Sequence, residues 1–430
     1  MEKISKIKSV VEKIYSKIKT VIGKLRKNPK LKKILKPILI GLLAILVVAL
    51  GLICIARCTG KKSLYGKVEG QSMDFNKDDT DDELDIDMGI MDEENSSIDQ
   101  GEAGNDIDGN REDTSVGGDE ATKDKEDKIK DSTSEIGNGN IEQNEENEKY
   151  DITYKGKKYK YNDDIMTFLI LGIDKNEKVS PAKDGISGGQ SDGIFLAVMN
   201  PHTKKIDLIT VHRDTIARIW LYDKEGNFLQ TGKAQICLQH GYGDGMELSN
   251  ERAKKAISDL FYDLPIHSVT SINMGGIAKL NDAIGGVTLE SLETFSKDGY
   301  SFEKGKTVTL KGMSAYYYTK YRDINEHYTA GKRLERQKQY LSKAAAQTIS
   351  AIKKDVGVVV DIYKIVKDYV VTDLSIDEMT YIATESVGYS FGQIYSLEGS
   401  VDTSRKYERY YLDMDKFEEL IIKIFYEEVK

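Results

Sequence analysis

"SDGIFLAVMNPHTKKIDLITVHRDT", residues 191–215, decides how this chain folds. Its two runs of β-formers, "GIFLAVMN" and "KIDLITVHR", flank "PHTKK", whose proline and polar residues mark a turn. They read as two successive strands, the second ending on Arg213 and Asp214. Neighbouring residues inside a strand face opposite sides of the sheet, so an interior Arg-Asp pair forms no private ion pair. At a strand's end both side chains can reach one cleft.

Upstream, "MTFLILGID" (166–174) is another buried-strand run, stopped by Gly172 and Asp174. Downstream, "VTSINM" is strand-like. Helical patterns follow in "NERAKKAISDLFYD", with Ser249 as its expected cap, in "GGIAKLNDAIGG", in "AYYYTKYR", and from about Arg333 to Lys354. "SIDEMTYIATES" starts on Ser375, a good N-cap, and "LDMDKFEELIIKIFYEE" is a final amphipathic helix. This alternation predicts an α/β fold: a central mixed β-sheet with helices on both faces, over residues 151–430. The core is expected at about 165–345, with a C-terminal extension, 346–430, packing on it. No internal repeat is present.

The first 150 residues differ in kind. Residues 1–36 hold twelve lysines and Arg26 against Glu2 and Glu12, with Ile4, Ile7, Val11, Ile14 and Ile18 at helical spacing. A solvated basic helix and one lying on an anionic membrane leaflet both fit that pattern. The next segment favours the membrane: "PILIGLLAILVVALGLICIA" is about twenty uncharged residues, long enough to cross about 30 Å of hydrocarbon. Residues 37–57 are therefore expected to be a transmembrane helix. The lysine excess before it keeps 1–36 cytoplasmic, so everything after it is extracytoplasmic and the protein is a single-pass membrane protein. Residues 58–150, rich in Asp, Glu, Gly, Asn and Ser, are expected to be a disordered acidic tether. Cys54 falls in the expected membrane helix and Cys58 at its edge, so Cys237 stands alone and no intramolecular disulfide is expected in the exported part. Residues 151–430 come to roughly −2 by difference with no basic face, and together with the extracytoplasmic placement this argues against nucleic acid as a partner.

Acids recur at the strand ends: Asp174 after the first strand, Asp192 just before the second, and Asp214 after the third. Turn capping explains any one of them; together, at the ends where open α/β sheets place their sites, they point to chemistry. The Gly-rich loop between Asp174 and Asp192 offers backbone N–H groups to an anion, but it lacks a P-loop's Gly-Lys-Ser/Thr ending. "KYRDINEHYTAGKRLERQ" (320–337) adds Lys320, Arg322, Arg333 and Arg336, the last two sharing a helix face. A solvated basic face is the ordinary explanation. Carboxylates that hold Mg²⁺ and guanidinium forks that hold phosphate oxygens are also what phosphoryl transfer needs.

The order of motifs "LILGID", "SDGIFLAVMNPHTKKIDLITVHRDT", "KAQICLQHGYGDG", "INMGGIAKLNDAIGGV" and "RLERQ" strongly resembles the LytR-CpsA-Psr family. That resemblance implies an extracytoplasmic, Mg²⁺-dependent phosphotransferase that moves a glycopolymer from a polyprenyl-pyrophosphate carrier to peptidoglycan, as in teichoic acid attachment during cell-wall biogenesis. It makes Asp174 and Asp192 the Mg²⁺ neighbours, and Arg213, Lys320, Arg322, Arg333, Arg336 and Gln337 the pyrophosphate ligands. Asp214 then orients Arg213 or receives the acceptor hydroxyl's proton. Three positions depart from the family pattern: Gln190 where an arginine often precedes Ser-Asp, His212 where proline is common, and Lys320 for an arginine. His212 is expected to be a hydrogen-bonded structural residue. His202, His240, His267 and His327 show no ligand spacing, which argues against zinc. The alternative is a non-catalytic surface protein that binds polyprenyl lipid or wall polymer in a regulatory role.

Overall fold

The computed structural model describes residues 53–76, 84–85, 141–143, 151–321, 329–405 and 407–429. The basic segment 1–36, most of the expected membrane helix 37–57, most of the acidic tether, His327 and Arg322 lie outside the described residues. Among the described residues, no helix is long and apolar enough to cross a membrane.

Six strands form the central sheet: β1 (Met166–Ile173), β2 (Ser191–Asn200), β3 (Lys205–Val211), β4 (Ser268–Asn273), β5 (Val370–Thr372) and β6 (Ser390–Ser396). Their order is β5-β4-β1-β2-β3-β6. β1, β2 and β3 run antiparallel to their sequence neighbours, β4 is parallel to β1, and β6 is parallel to β3. The sheet is mixed, as expected. Asp192 falls on β2 as its second residue instead of preceding it.

Side-chain alternation assigns the two faces. Leu169, Leu171, Ile173, Ile194, Leu196 and Val198 point into the main core with α1 (Glu247–Leu260) and α5 (Met414–Phe425), through Ala256, Ile257, Phe417 and Ile421. Met166, Phe168, Met199 and Ile206 face the other way, against Leu64, Tyr381 and Tyr389 around α4 (Ile376–Ser386). The C-terminal extension thus contributes to both cores. Two further helices, α2 (Met313–Lys320) and α3 (Thr329–Lys354), border a smaller aromatic cluster around Phe295, Phe302 and Tyr318.

Two local expectations need correction. Ser249 lies inside the first turn of α1, where its Oγ accepts from the Gly245 N–H at 2.8 Å; the cap position is Met246. Ser375, by contrast, caps α4 in a reciprocal box with Glu378. The acidic tether also starts later than composition implies. Residues 53–66 are helical and their end packs on α4: Leu64 is buried, Ser63 Oγ donates to Glu378 at 2.8 Å, and Lys67 lies 3.1 Å from that carboxylate. The tether's average composition hid Leu64, Tyr65, Met73 and Phe75, apolar anchors that precede the acidic runs. At its other end, Ile141–Gln143 already pairs with Ile152–Tyr154.

Candidate active site

Strand register assembles the site. β2 pairs Ile194 with Val211 of β3, and continuing outward two residues sets Asp192 across from Arg213. β1 pairs Gly172 with Gly193 of β2, which brings Asp174 beside Gln190. There the Asp174 Oδ1 accepts from the Gln190 N–H at 2.8 Å.

Arg213 is held from four sides. Its Nη1 pairs with Asp192, Nη2 donates to Gln190 Oε1 at 2.7 Å and contacts Cys237 Sγ at 3.4 Å, and Nε donates to Asp214 Oδ1 at 3.3 Å. Arg333 of α3 approaches the second Asp192 oxygen at 3.6 Å. One carboxylate, 8% exposed, therefore bridges two guanidinium groups. The turn after β3 is fixed by backbone bonds: the Thr215 N–H donates to the His212 carbonyl at 3.0 Å, and the Tyr410 N–H to the Asp214 carbonyl at 2.8 Å. This is why Arg213 and Asp214, adjacent in sequence, reach one cleft. Gln337 lines the same pocket, with Nε2 donating to the Thr319 carbonyl at 3.3 Å.

Burial opposes the Arg213 charge, yet Cys237, Asp214 and Asp174 outweigh it and hold its pKa above the ordinary value. Burial also pushes the Cys237 thiol up to about 11, so at neutral pH it is uncharged. At neutral pH the sulfur therefore meets the guanidinium as a neutral hydrogen-bonding partner, and the full negative charges beside it are those of the carboxylates.

Two other sequence candidates stand apart from this group. Arg336, 2% exposed, turns to the aromatic cluster: it pairs with Glu293, donates Nε to the Tyr318 carbonyl at 2.8 Å and Nη2 to that of Tyr321, and stacks over Phe295. Burial lowers its pKa to about 10. Residues three apart on a helix point about 60° apart, which is enough for two long side chains to diverge. Lys320 donates to Tyr316 Oη at 2.7 Å, and that hydroxyl donates to Asn176 at 2.8 Å, so Lys320 braces the loop after Asp174. Nor is the Gly-rich loop an anion cradle. The N–H groups of Val179, Ala182, Gly185 and Gly188 donate to the carbonyls of Asp368, Asp244, Lys224 and Gly241. At Gly189, with φ of 89°, a Cβ would come within 2.8 Å of Ile173, so only glycine fits beside Asp174. His240 Nδ1 donates to the Gly189 carbonyl at 2.9 Å, and burial holds its pKa down at about 4.

Gln190, Cys237 and Tyr410 escaped sequence reasoning. The first was counted as a lost arginine, but it is an Arg213 partner; the register of β1 and β2 was the signal that could have placed it. Tyr410 stacks on His212 with centroids 4.7 Å apart, while His212 Nδ1 accepts from the Asp214 N–H at 3.3 Å. His212 is hydrogen-bonded, as expected.

The arginine pocket is closed to about 10 Å³, the space of one water. Beside it opens a groove of about 690 Å³ between α3 and the hairpin of β7 (Gly399–Asp402) and β8 (Arg409–Leu412). His212 and Leu334 line both. Among the described residues, no three His, Cys, Asp or Glu side chains gather as a metal site.

Residues 124–422 match the model of the LytR_cpsA_psr family. The chain is 30% identical over 243 residues to the polyisoprenyl-teichoic acid–peptidoglycan teichoic acid transferase TagU of Enterococcus faecalis, covering 55% of this chain and 71% of that protein. It is likewise 30% identical to TagU of Bacillus subtilis over 52% of this chain and 65% of the other. The crystal structure of protein gbs0355 from Streptococcus agalactiae shares the fold, with a TM-score of 0.51, 22% identity and coverage of 60% of this chain and 86% of that one. With residues 124–422, well over half of the chain, inside the family match, the chain belongs to the LytR-CpsA-Psr family.

Proposed function

We propose that this domain is a phosphotransferase that moves a glycopolymer from a polyprenyl-pyrophosphate carrier to peptidoglycan, on the outer side of a membrane spanned by residues 37–57. The observation that carries this reading is Arg213 and Arg333 converging on the single buried carboxylate of Asp192 at the end of the sheet. Two guanidinium groups fixed by one anion form a preorganised seat, which a phosphate occupies by displacing or joining Asp192. The TagU relatives carry the corresponding transferase name.

In the transfer, the acceptor hydroxyl oxygen attacks the phosphorus attached to the glycopolymer. A new O–P bond forms, the bridging P–O bond breaks, polyprenyl monophosphate leaves, and the hydroxyl proton passes to a carboxylate or solvent. Arg213 and Arg333 orient the phosphates and stabilise charge that grows on the leaving oxygen. Asp214, one residue from Arg213 and bonded to its Nε, either steers that guanidinium or takes the proton.

Charge argues for a divalent cation here. Asp174, Asp192 and Asp214 outnumber Arg213 and Arg333 by one, so these five groups alone do not attract a pyrophosphate. Asp174 and Asp192 are hard oxygen donors of the kind Mg²⁺ takes one or two at a time, with water and substrate phosphates completing its shell. Mg²⁺ there would neutralise developing phosphate charge. The test is to incubate the full chain in detergent with Mg²⁺, a polyprenyl-pyrophosphate-linked polymer and wall glycan. Release of polyprenyl phosphate with attachment of polymer to glycan supports the reading. Tight lipid binding without turnover would instead favour a regulatory surface protein.

A further inference from the structure

The groove beside the arginine pocket has its own chemistry. Four carboxylates line it, Glu335, Glu398, Glu408 and Asp413, against Lys338 and Lys416. Both lysines are already paired: Lys338 lies 2.6 Å from Glu335, and Lys416 lies 2.5 Å from Glu398. A groove with more acid than base opposes an anionic polymer. It also suits an isoprenoid badly, because apolar chains would desolvate those charges without pairing them.

What remains is a neutral, hydroxyl-rich ligand. Carboxylates accept hydrogen bonds from hydroxyls, and exposed aromatic rings offer flat apolar faces to sugar rings. Tyr411, 41% exposed, supplies such a ring, and β7–β8 register sets Ser400 directly opposite it on the same face. His212 and Leu334 stand at the seam with the arginine pocket, so a chain lying in the groove ends next to Arg213 and Arg333.

We propose that the groove between α3 and the β7–β8 hairpin is the acceptor site: it binds a neutral glycan and presents one of its hydroxyls to the arginine pocket across His212. The assignment rests on the transferase reading, and it deepens that reading by separating a carboxylate-lined acceptor groove from a donor seat built on two guanidinium groups.

The full chain in detergent is titrated with chitotetraose, a neutral β-linked oligosaccharide, followed by saturation-transfer NMR, and separately with inorganic pyrophosphate plus Mg²⁺. Chitotetraose should bind, and Ser400→Trp, which fills the groove from an exposed strand position, should weaken it by about tenfold. Tyr411→Ala, the second variant in case the tryptophan disturbs folding, should weaken it by a similar factor. Pyrophosphate affinity should stay unchanged in both. The proposal is overturned if wild type does not bind chitotetraose, if both variants bind it as wild type does, or if pyrophosphate competes it off. Failure of the transferase reading looks different: pyrophosphate cleavage is absent whatever the groove does.

Discussion

Arg333 and Arg336 are three residues apart on α3 and both almost completely buried, yet they meet different surroundings. Arg333 faces the end of the sheet, where Asp192 is already shared with Arg213 and a groove opens alongside. Arg336 faces a closed aromatic cluster, where Glu293 and two backbone carbonyls take up its donors. Arg336 is enclosed by the cluster it braces, whereas Arg333 shares its carboxylate with a second guanidinium at the rim of a cavity, where a phosphate could compete for both. The chemistry of the residue is constant, and the arrangement of its acceptors decides its use.

The largest effect that separates the two is on stability. Arg336→Ala leaves the Glu293 carboxylate and the Tyr318 and Tyr321 carbonyls without their donor, so it should cost about 3–5 kcal/mol. Thermal unfolding of the full chain checks this. If the variant unfolds like wild type but loses pyrophosphate cleavage, Arg336 returns to the site and the contrast disappears.

Next in size is the catalytic side. Charge-assisted bonds are worth about 1.5–3 kcal/mol each, so Arg213→Ala and Arg333→Ala should each slow polymer transfer by about tenfold or more. Lysine at either position should not restore full activity, since an ammonium lacks the planar fork. Turnover measured beside unfolding distinguishes the outcomes: lost stability with intact activity per folded molecule would make both arginines braces too.

That contrast also shows what the sequence made legible. β1, β2 and β3 were readable because β-branched runs stop abruptly at turns, and the clustering of Asp174, Asp192 and Arg213 follows once those strands pair. The parting of Arg333 from Arg336 was not readable, because it depends on Glu293, some forty residues away in sequence, which pairs with Arg336 at the edge of the aromatic cluster. Gln190 was hidden for a similar reason: its meaning lies in strand register, not in its type. The edge of the acidic tether was lost to averaging, since four apolar residues in 64–75 anchor a segment whose overall composition is polar.

A smaller effect tests the two ends of β1. His240 bonds to Gly189 beside the site, and His267 Nδ1 accepts from the Thr167 N–H at 3.2 Å near the start of the strand. Burial holds both imidazoles down at about 4, against 6.5 ordinarily. Above pH 6.5 neither folded nor unfolded chain protonates them, so their full contribution is present. As pH falls from 6.5 towards 4, the unfolded chain binds protons that the fold excludes, and stability is lost. At pH 5.5 one such histidine costs on the order of 1 kcal/mol. Denaturant unfolding at pH 7.5 and 5.5 should show that loss, and His267→Gln should reduce it by about half. No change between the two pH values in wild type would mean that both rings protonate inside the fold.

The smallest effect concerns the exposed acid of the site. The Asp192 carboxylate is nearly enclosed between two arginines, whereas Asp174 is exposed and bonded to the Gln190 N–H. Asp174→Asn keeps a carbonyl oxygen for that N–H and keeps the shape of the loop, but it removes one negative charge from the group of three. If Asp174 is a Mg²⁺ neighbour, the metal concentration giving half-maximal transfer should rise several-fold, equivalent to about 1 kcal/mol, while the rate at saturating Mg²⁺ changes less. If Asp174 only closes the turn, the asparagine should leave the metal dependence where it is. A fall in the saturating rate without any shift in the Mg²⁺ midpoint would move its role to Arg213, whose charge it helps to hold.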